Sequence, residues 1–321
     1  MWIIKNRNLL FSISGLVGLV SVISILTFGF NPGIDFQGGS LLEVTYLQER
    51  PNTSNIQSLT NRLDLPGSVV QEVDTQGIII KTTELSDEKK LELSNELSFN
   101  DEFPFQEERY KNLGPTISEE LKNKSLFAIA LVVLAIILFI AYTFRGVSKP
   151  VSSWRYGLVA IIALVHDILV PTAVFSALGS FLVDYQIDVL FVTALLAILG
   201  FSVNDTIVVF DRIRENLKTA LDKKKPVVGE AFRQIVGKSL EQTFRRSLNT
   251  SVTTLIPLAF LFFIGGEATK PFALVLSIGV IAGTFSSLFI ASPLLTVIEQ
   301  YQKPPKPKKE TPKPKEFVPR V

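Results

Sequence analysis

Apolar residues in this chain fall into six long runs, each close to or above the about 17–25 residues that a helix needs to cross a bilayer. The runs are Leu9–Phe30, Leu126–Phe144, Gly157–Leu178, the helix within Phe191–Asn216, Leu248–Ile264 and Pro271–Ile298. Their spacing predicts a polytopic α-helical membrane protein with six transmembrane helices. Between the first and second runs the pattern changes to short alternating stretches. Ser40–Leu47 reads as a strand, and Asn55–Leu63 has helical spacing after the cap signals Asn52, Thr53 and Ser54. Val69–Val73 and Ile78–Lys81 flank a turn at Asp74-Thr75-Gln76-Gly77, which predicts a hairpin. Ser86 caps a second helix running to about Leu97, and Phe105–Leu113 supplies a last strand. The order β-α-β-β-α-β is that of a small α+β ferredoxin-like domain.

The expected divisions are 1–32 for the N-terminus and first helix, 33–122 for the α+β domain and 123–299 for helices two to six. Within the last of these, about 211–246 reads as a basic cytosolic loop, and 300–321 as a disordered Lys/Pro-rich tail.

Charge orients these pieces. Lys5 and Arg7 precede the first run, which is too long for a signal-peptide core and ends in Asn31-Pro32-Gly33, so it reads as a retained anchor. The 33–122 domain is strongly acidic, whereas Arg145, Lys149 and Arg155 follow the second run and a dense basic cluster follows the fourth. The positive-inside bias places both termini in the cytosol and the domain outside.

Composition narrows the chemistry. The 321 residues are 47% hydrophobic with a single histidine and no cysteine. Disulfides, thiolate metal sites and thiol nucleophiles are excluded, and the usual His-rich metal clusters have no ligands. The expectation is no enzyme, no metal and no cofactor. The tail reads as solvated rather than as a weak binder of anionic lipid or RNA, and no nucleic-acid partner is expected.

Polar residues inside the apolar runs are the candidate site. Asp205, preceded by Asn204, lies on the order of 9 Å inside the charged helix exit at Asp211, taking ~1.5 Å per residue. An ionised carboxylate at that depth costs about 2.5–3.5 kcal/mol on insertion scales, so it must be protonated, paired or facing a wet cavity. His166-Asp167 lies near the middle of the third run; Asp167 is read as the inward group and His166 as its hydrogen-bonding support, with structural and functional roles both open. Arg246 opens the fifth run ahead of Ser247, Asn249, Thr250, Ser251, Thr253 and Thr254. It is either a cytosolic anchor or a partner brought close to Asp205. Gly33, Asp35, Phe36, Gly38 and Gly39 follow the first run; a plain turn accounts for the glycines but not for the Asp and Phe between them. Gly237-Lys238-Ser239 resembles the end of a P-loop, but Phe232 stands where a glycine is required. An intramembrane aspartyl protease would need Asp167 and Asp205 to share a proton, and Asp205 lacks that sequence context.

Gly33–Gly39, His166-Asp167, Val203–Asn216 (VNDTIVVFDRIREN) and Arg246–Thr254 (RSLNTSVTT) together resemble the SecF family of protein-export subunits, within the resistance-nodulation-division superfamily. The resemblance runs from Leu9 to about Ile298. It departs at the longer cytosolic segment around Leu221–Gly229 and is silent on the tail. It implies a subunit that pairs with SecD beside the SecYEG channel, with a YidC-type insertase as a further neighbour and membrane lipid as solvent. It would use the proton gradient to promote late steps in the passage of a translocating polypeptide. It further implies a multi-pass protein of the prokaryotic cytoplasmic (inner) membrane, or of the thylakoid, with Asp205, Arg246, Asn204, Asp167 and His166 as the proton path. The competing readings are half of a proton-coupled small-molecule efflux transporter and a passive insertion scaffold. The first needs a larger outer domain with ligand pockets; the second needs no titrating carboxylate.

Overall fold

The computed structural model describes residues 2–300, except 66, 74, 100, 145–151, 183–184, 224–226 and 267–268. The Lys/Pro tail, the basic residues Arg145 and Lys149 and the first residue of the hairpin turn, Asp74, lie outside the described residues.

A short helix α1 (Trp2–Lys5) leads into α2 (Arg7–Phe28), and one helical turn, α3 (Ile34–Gln37), leads into the first strand. The elements that follow are β1 (Gly39–Tyr46), α4 (Thr53–Arg62), β2 (Val69–Val73), β3 (Gly77–Thr82), α5 (Asp87–Leu97) and β4 (Phe105–Leu113). Capping explains both helix starts: the Asn52 side chain accepts from the Ser54 N–H, and Ser86 Oγ from the Lys89 N–H. The four strands form one sheet in the order β2-β3-β1-β4, every neighbouring pair antiparallel. Alternation along β1 sends Leu42, Val44 and Tyr46 into a core with Ile78 and Ile80 of β3, Ile56 and Leu59 of α4, and Leu93 and Leu97 of α5. Leu41 and Ile79 point the other way, toward Gln186 and Asp188 at the end of the helical bundle. Gly39 cannot carry a side chain: its φ is +115°, and a Cβ would lie 2.5 Å from the Thr82 carbonyl oxygen.

The bundle comprises α2, α6 (Pro115–Thr143), α7 (Ser153–Gly179), α8 (Val189–Asp222), α9 (Glu230–Ile264) and a last span made of α10 (Lys270–Ser286), a π-helical turn at Ser287–Ala291 and α11 (Ser292–Gln300). All six are long and apolar enough to cross a membrane. The last span and α8 are the most buried, followed by α7, while α2, α6 and α9 expose most of their apolar surface. Gly279 lets α10 close on α8, since a Cβ there would fall 2.2 Å from Ile198 Cδ1. At one end, Phe144 and Tyr156 stack with centroids 5.2 Å apart and Phe210 meets both edge-on.

The stretch 211–246, expected as a basic loop between spans, is built mainly from helix. Helix α8 continues through Asp222 and α9 begins at Glu230, so most of it is helical. Charge alternation at helical spacing supports these extensions in water, with Arg212–Glu215 at 2.5 Å and Arg214–Asp211 at 3.7 Å. Helix α6 likewise begins at Pro115, inside the stretch assigned to the outer domain.

Candidate functional site

A seam of polar side chains runs through the interior of the bundle. Its best-satisfied member is Asp167 of α7, which is fully buried. Its Oδ2 accepts from Ser202 Oγ of α8 (2.5 Å) and Ser286 Oγ of α10 (2.7 Å), and its Oδ1 bonds His166 Nδ1 (3.1 Å). One carboxylate therefore ties three helices together. The seam continues through Thr206 and Ser287, whose hydroxyls are 2.8 Å apart, and through Ser251 of α9 with Thr284 of α10. The π-helical turn begins at Ser287, directly after the serine that holds Asp167; such turns recur at functional sites because they re-aim side chains within a helix.

Asp205 has a different environment. It is buried near the middle of α8, yet no donor among the described residues reaches its Oδ2. The hydroxyl of Ser247 on α9, also buried and without a well-formed hydrogen bond among the described residues, is the hydrogen-bonding neighbour of the carboxyl, and Arg246 lies within its electrostatic reach. Arg246, read from sequence as either an anchor or a partner of Asp205, forms no ion pair with it among the described residues, and its side chain is exposed on α9. Adjacent residues on a helix point about 100° apart, so Ser247 takes the inward position and Arg246 is turned out. Asn204 is exposed for the same reason. Asp167 is bonded to His166, Ser202 and Ser286, and among the described residues no hydrogen bond joins it to Asp205, as a proton-sharing carboxylate dyad would require.

The polar face of α9 is divided as well. Ser247 and Ser251 point inward, while Arg246, Asn249, Thr250 and Thr253 form an exposed stripe at helical spacing. Ser202, Ser286 and Ser287 went unnoticed in the sequence. The signal was there, in the hydroxyl-rich Gly283-Thr284-Phe285-Ser286-Ser287 inside an otherwise apolar run.

The Gly33–Gly39 segment fastens the sheet domain to the helix that carries Asp205. Asp35, buried on α3, accepts the Val189 N–H at the start of α8 through Oδ2 (3.2 Å), and Lys111 Nζ of β4 stands 3.5 Å from its Oδ1. The Gly33 N–H donates to Ile187 (3.0 Å), the Ile187 N–H to Asn31 (2.8 Å), and Ser118 Oγ to Ile34 (3.1 Å). Gly33 has an ordinary φ of −73°; it is small because Gln186 and Asp188 crowd it. Phe36 is half-buried on the same turn. Asp35 thus places negative charge at the positive end of the α8 dipole.

Asp188 caps the same helix, accepting the Phe191 N–H at 2.8 Å. Burial pushes its carboxyl above the ordinary range, the Phe191 bond opposes this, Asp35 adds to it and Lys111 opposes it. A raised carboxyl favours the folded state at low pH and penalises it as pH rises through the raised value, the penalty being absent below about 3.9. Asp188→Asn keeps the cap acceptor and removes the charge. It should therefore melt above the native chain at about pH 8, with the gap closing toward the ordinary carboxylate value of about 3.9. Equal melting temperatures at the alkaline end would show that Asp188 carries no such penalty.

Six apolar spans, carboxylates held inside them and a small domain clamped to the end of the central helix define a membrane transport subunit. Residues 94–301 match the family model for the C-terminal region of the protein export membrane proteins SecD/SecF, and residues 23–46 match the SecD/SecF GG motif. Over 309 residues the chain is 39% identical to the protein translocase subunit SecF of Thermobaculum terrenum, covering 91% of this chain and 92% of that one. It is 36% identical to the SecF subunit of Anaerolinea thermophila, covering 92% and 94%. A crystal structure of SecDF, a translocon-associated membrane protein from Thermus thermophilus, superposes with a TM-score of 0.77 at 28% identity over 93% of this chain. This chain spans 38% of that longer protein. A SecDF structure in a super-membrane-facing form gives 0.63 at 30% identity, over 92% of this chain and 38% of that one. The chain belongs to the SecF family of protein translocase subunits. The relatives it matches are named protein translocase subunits, and it is a multi-pass membrane protein.

Proposed function

We propose that this chain is the SecF half of a proton-driven pair with SecD, with Asp205 as the group that takes up and releases the proton. The observation that carries the reading is Asp205 itself: a buried carboxyl in mid-span whose Oδ2 makes no well-formed hydrogen bond among the described residues, with the equally buried Ser247 hydroxyl of α9 as its hydrogen-bonding neighbour. A buried polar atom left so is costly and calls for a functional account. Asp167, by contrast, has all the donors it needs and acts as the hub that positions α7, α8 and α10, with His166 fixing its orientation.

The exposed stripe Arg246-Asn249-Thr250-Thr253 and Asn204 would be expensive against lipid chains. They supply the face on which SecD packs, with Arg246 the countercharge that moves toward or away from Asp205 as the two halves shift. Proton loading changes the charge of α8, and the Asp35 clamp at the N-terminus of that helix passes its movement to the sheet domain. In this reading residues 33–122 form a ferredoxin-like, extracytoplasmic domain that acts on the emerging polypeptide beside SecYEG, with a YidC-type insertase as neighbour. Both termini and the 300–321 tail lie in the cytosol, in the bacterial inner membrane. The two cavities where the domain meets the bundle hold about 40 Å³ each, against the about 300–1,000 Å³ of a small-molecule site, which weighs against the efflux reading.

Inverted membrane vesicles provide the test. Vesicles depleted of this chain should lose the gradient-stimulated part of preprotein translocation and regain it when the chain is restored. In the cells of origin, Ser86→Cys should react with an impermeant maleimide from outside. Stimulation that survives depletion would refute the function, and an unreactive Ser86→Cys in intact cells the orientation.

A further inference from the structure

A cleft of about 640 Å³ opens between the N-terminal segment and the start of α9, lined by Trp2, Ile4, Lys5, Arg7, Asn8, Glu230 and Arg233. Three cations face one carboxylate, and the Glu230–Arg233 pair is a loose one at 3.4 Å. Lys5 and Arg7 have no ion-pair partner among the described residues, and the Nε of Arg233 is buried with no hydrogen-bond acceptor. This cationic excess is not consumed among the described residues. Its volume falls inside the about 300–1,000 Å³ typical of small-molecule sites.

A second feature shares a wall with the cleft. Ile3 and Ile4 of α1 line an almost wholly apolar groove with Gly237, Leu240 and Phe244 of α9; Glu241, itself engaged in another interaction, is its one charged lining residue. A free anion has no use for such a groove, whereas a lipid has a polar head and an apolar tail to fill both. The height is also right. Arg7 is the first residue of the membrane-spanning α2, and Trp2 exposes its indole, the amphipathic ring favoured at the headgroup level. Basic pockets between helices on the cytoplasmic side bind anionic headgroups for the same reasons.

From this juxtaposition we infer that the α1–α9 cleft is a binding site for an anionic phospholipid. The phosphate lies among Lys5, Arg7 and Arg233, and an acyl chain lies along the Ile4–Phe244 groove. The site is independent of the proton path; only the naming of the inner leaflet rests on the orientation proposed above. By fixing a lipid between α1 and α9, it would tether the helix that bears Ser247 and Arg246 to the membrane surface.

The chain has two tryptophans, so Trp154→Phe leaves Trp2 as its only indole reporter. In the full chain purified in detergent, phosphatidylglycerol with brominated acyl chains should quench Trp2 saturably. Brominated phosphatidylcholine should act only at much higher lipid fraction. Lys5→Gln/Arg7→Gln should weaken the apparent affinity by about fivefold for each cation removed, while the melting temperature is kept. Inorganic phosphate should leave the quenching intact. Equal quenching by phosphatidylcholine, or an unchanged affinity in the double variant, would overturn the site. Relief by millimolar phosphate would reduce it to a free-anion site and overturn the lipid assignment.

Discussion

Asp205→Asn should abolish the proton-gradient-stimulated part of polypeptide translocation while leaving the rate measured without a gradient untouched. Asparagine matches the size and hydrogen-bonding reach of the carboxyl, so packing against α9 survives; it cannot take up a proton, so the charge cycle stops. Asparagine is neutral at every pH and never carries the about 2.5–3.5 kcal/mol cost of an ionised carboxylate at this depth, so the variant should be at least as stable as the native chain and still assemble with SecD. Loss of transport without loss of assembly is the signature of a titrating group. Arg246→Met should give a similar defect by removing the countercharge, although Arg246 is turned outward within this chain alone. The assay is preprotein import into inverted vesicles with and without a gradient, at matched protein levels. Undiminished stimulation in Asp205→Asn would leave that residue as helix glue.

Asp167→Ala should have the largest effect on stability, about 2–4 kcal/mol, from the loss of a buried acceptor to which several donors are committed. The cost concentrates on Ser202. Ser286 keeps its 3.1 Å bond to the Gly283 carbonyl, whereas among the described residues the Ser202 hydroxyl donates to Asp167 alone. Asp167→Asn should be milder, because the amide oxygen still accepts one serine, and it should retain gradient-driven transport. The pair of variants separates the two carboxyls: replacing Asp167 loosens the bundle, and replacing Asp205 stops the cycle. Thermal unfolding in detergent, read beside the vesicle assay, checks both. A native-like melting curve for Asp167→Ala would dissolve the hub, and an Asp167→Asn variant as inert as Asp205→Asn would return Asp167 to the proton path.

How far the sequence alone led depends on the range of the interaction concerned. The six spans were legible because an apolar run in lipid has one stable solution, a helix that satisfies its own backbone. The elements of the sheet domain were legible because caps, alternation and turn residues act within a few positions; Ser86 and Asn52 cap the helices they announce. The depth of Asp205 could also be counted directly from the charged exit at Asp211.

What the sequence left open was every choice between residues far apart along the chain. His166-Asp167 could be read as structure or chemistry until Ser202 and Ser286, on two other helices, were seen to converge on one oxygen. Asp35 could be read as part of a turn until it met the Val189 N–H, 154 positions away. Arg246 and Ser247 are adjacent, and only the rotation of α9 in the bundle decided that the serine faces Asp205 while the arginine faces outward. The helical content of 211–246 was not legible because hydropathy marks where an apolar run stops and not where its helix ends; ion pairs at helical spacing carry it onward. Local pattern determined which segments are helices, strands and spans. The packing of one helix's rotation against its neighbours decided which polar groups meet, because a side chain's partner depends on angles that hydropathy does not encode.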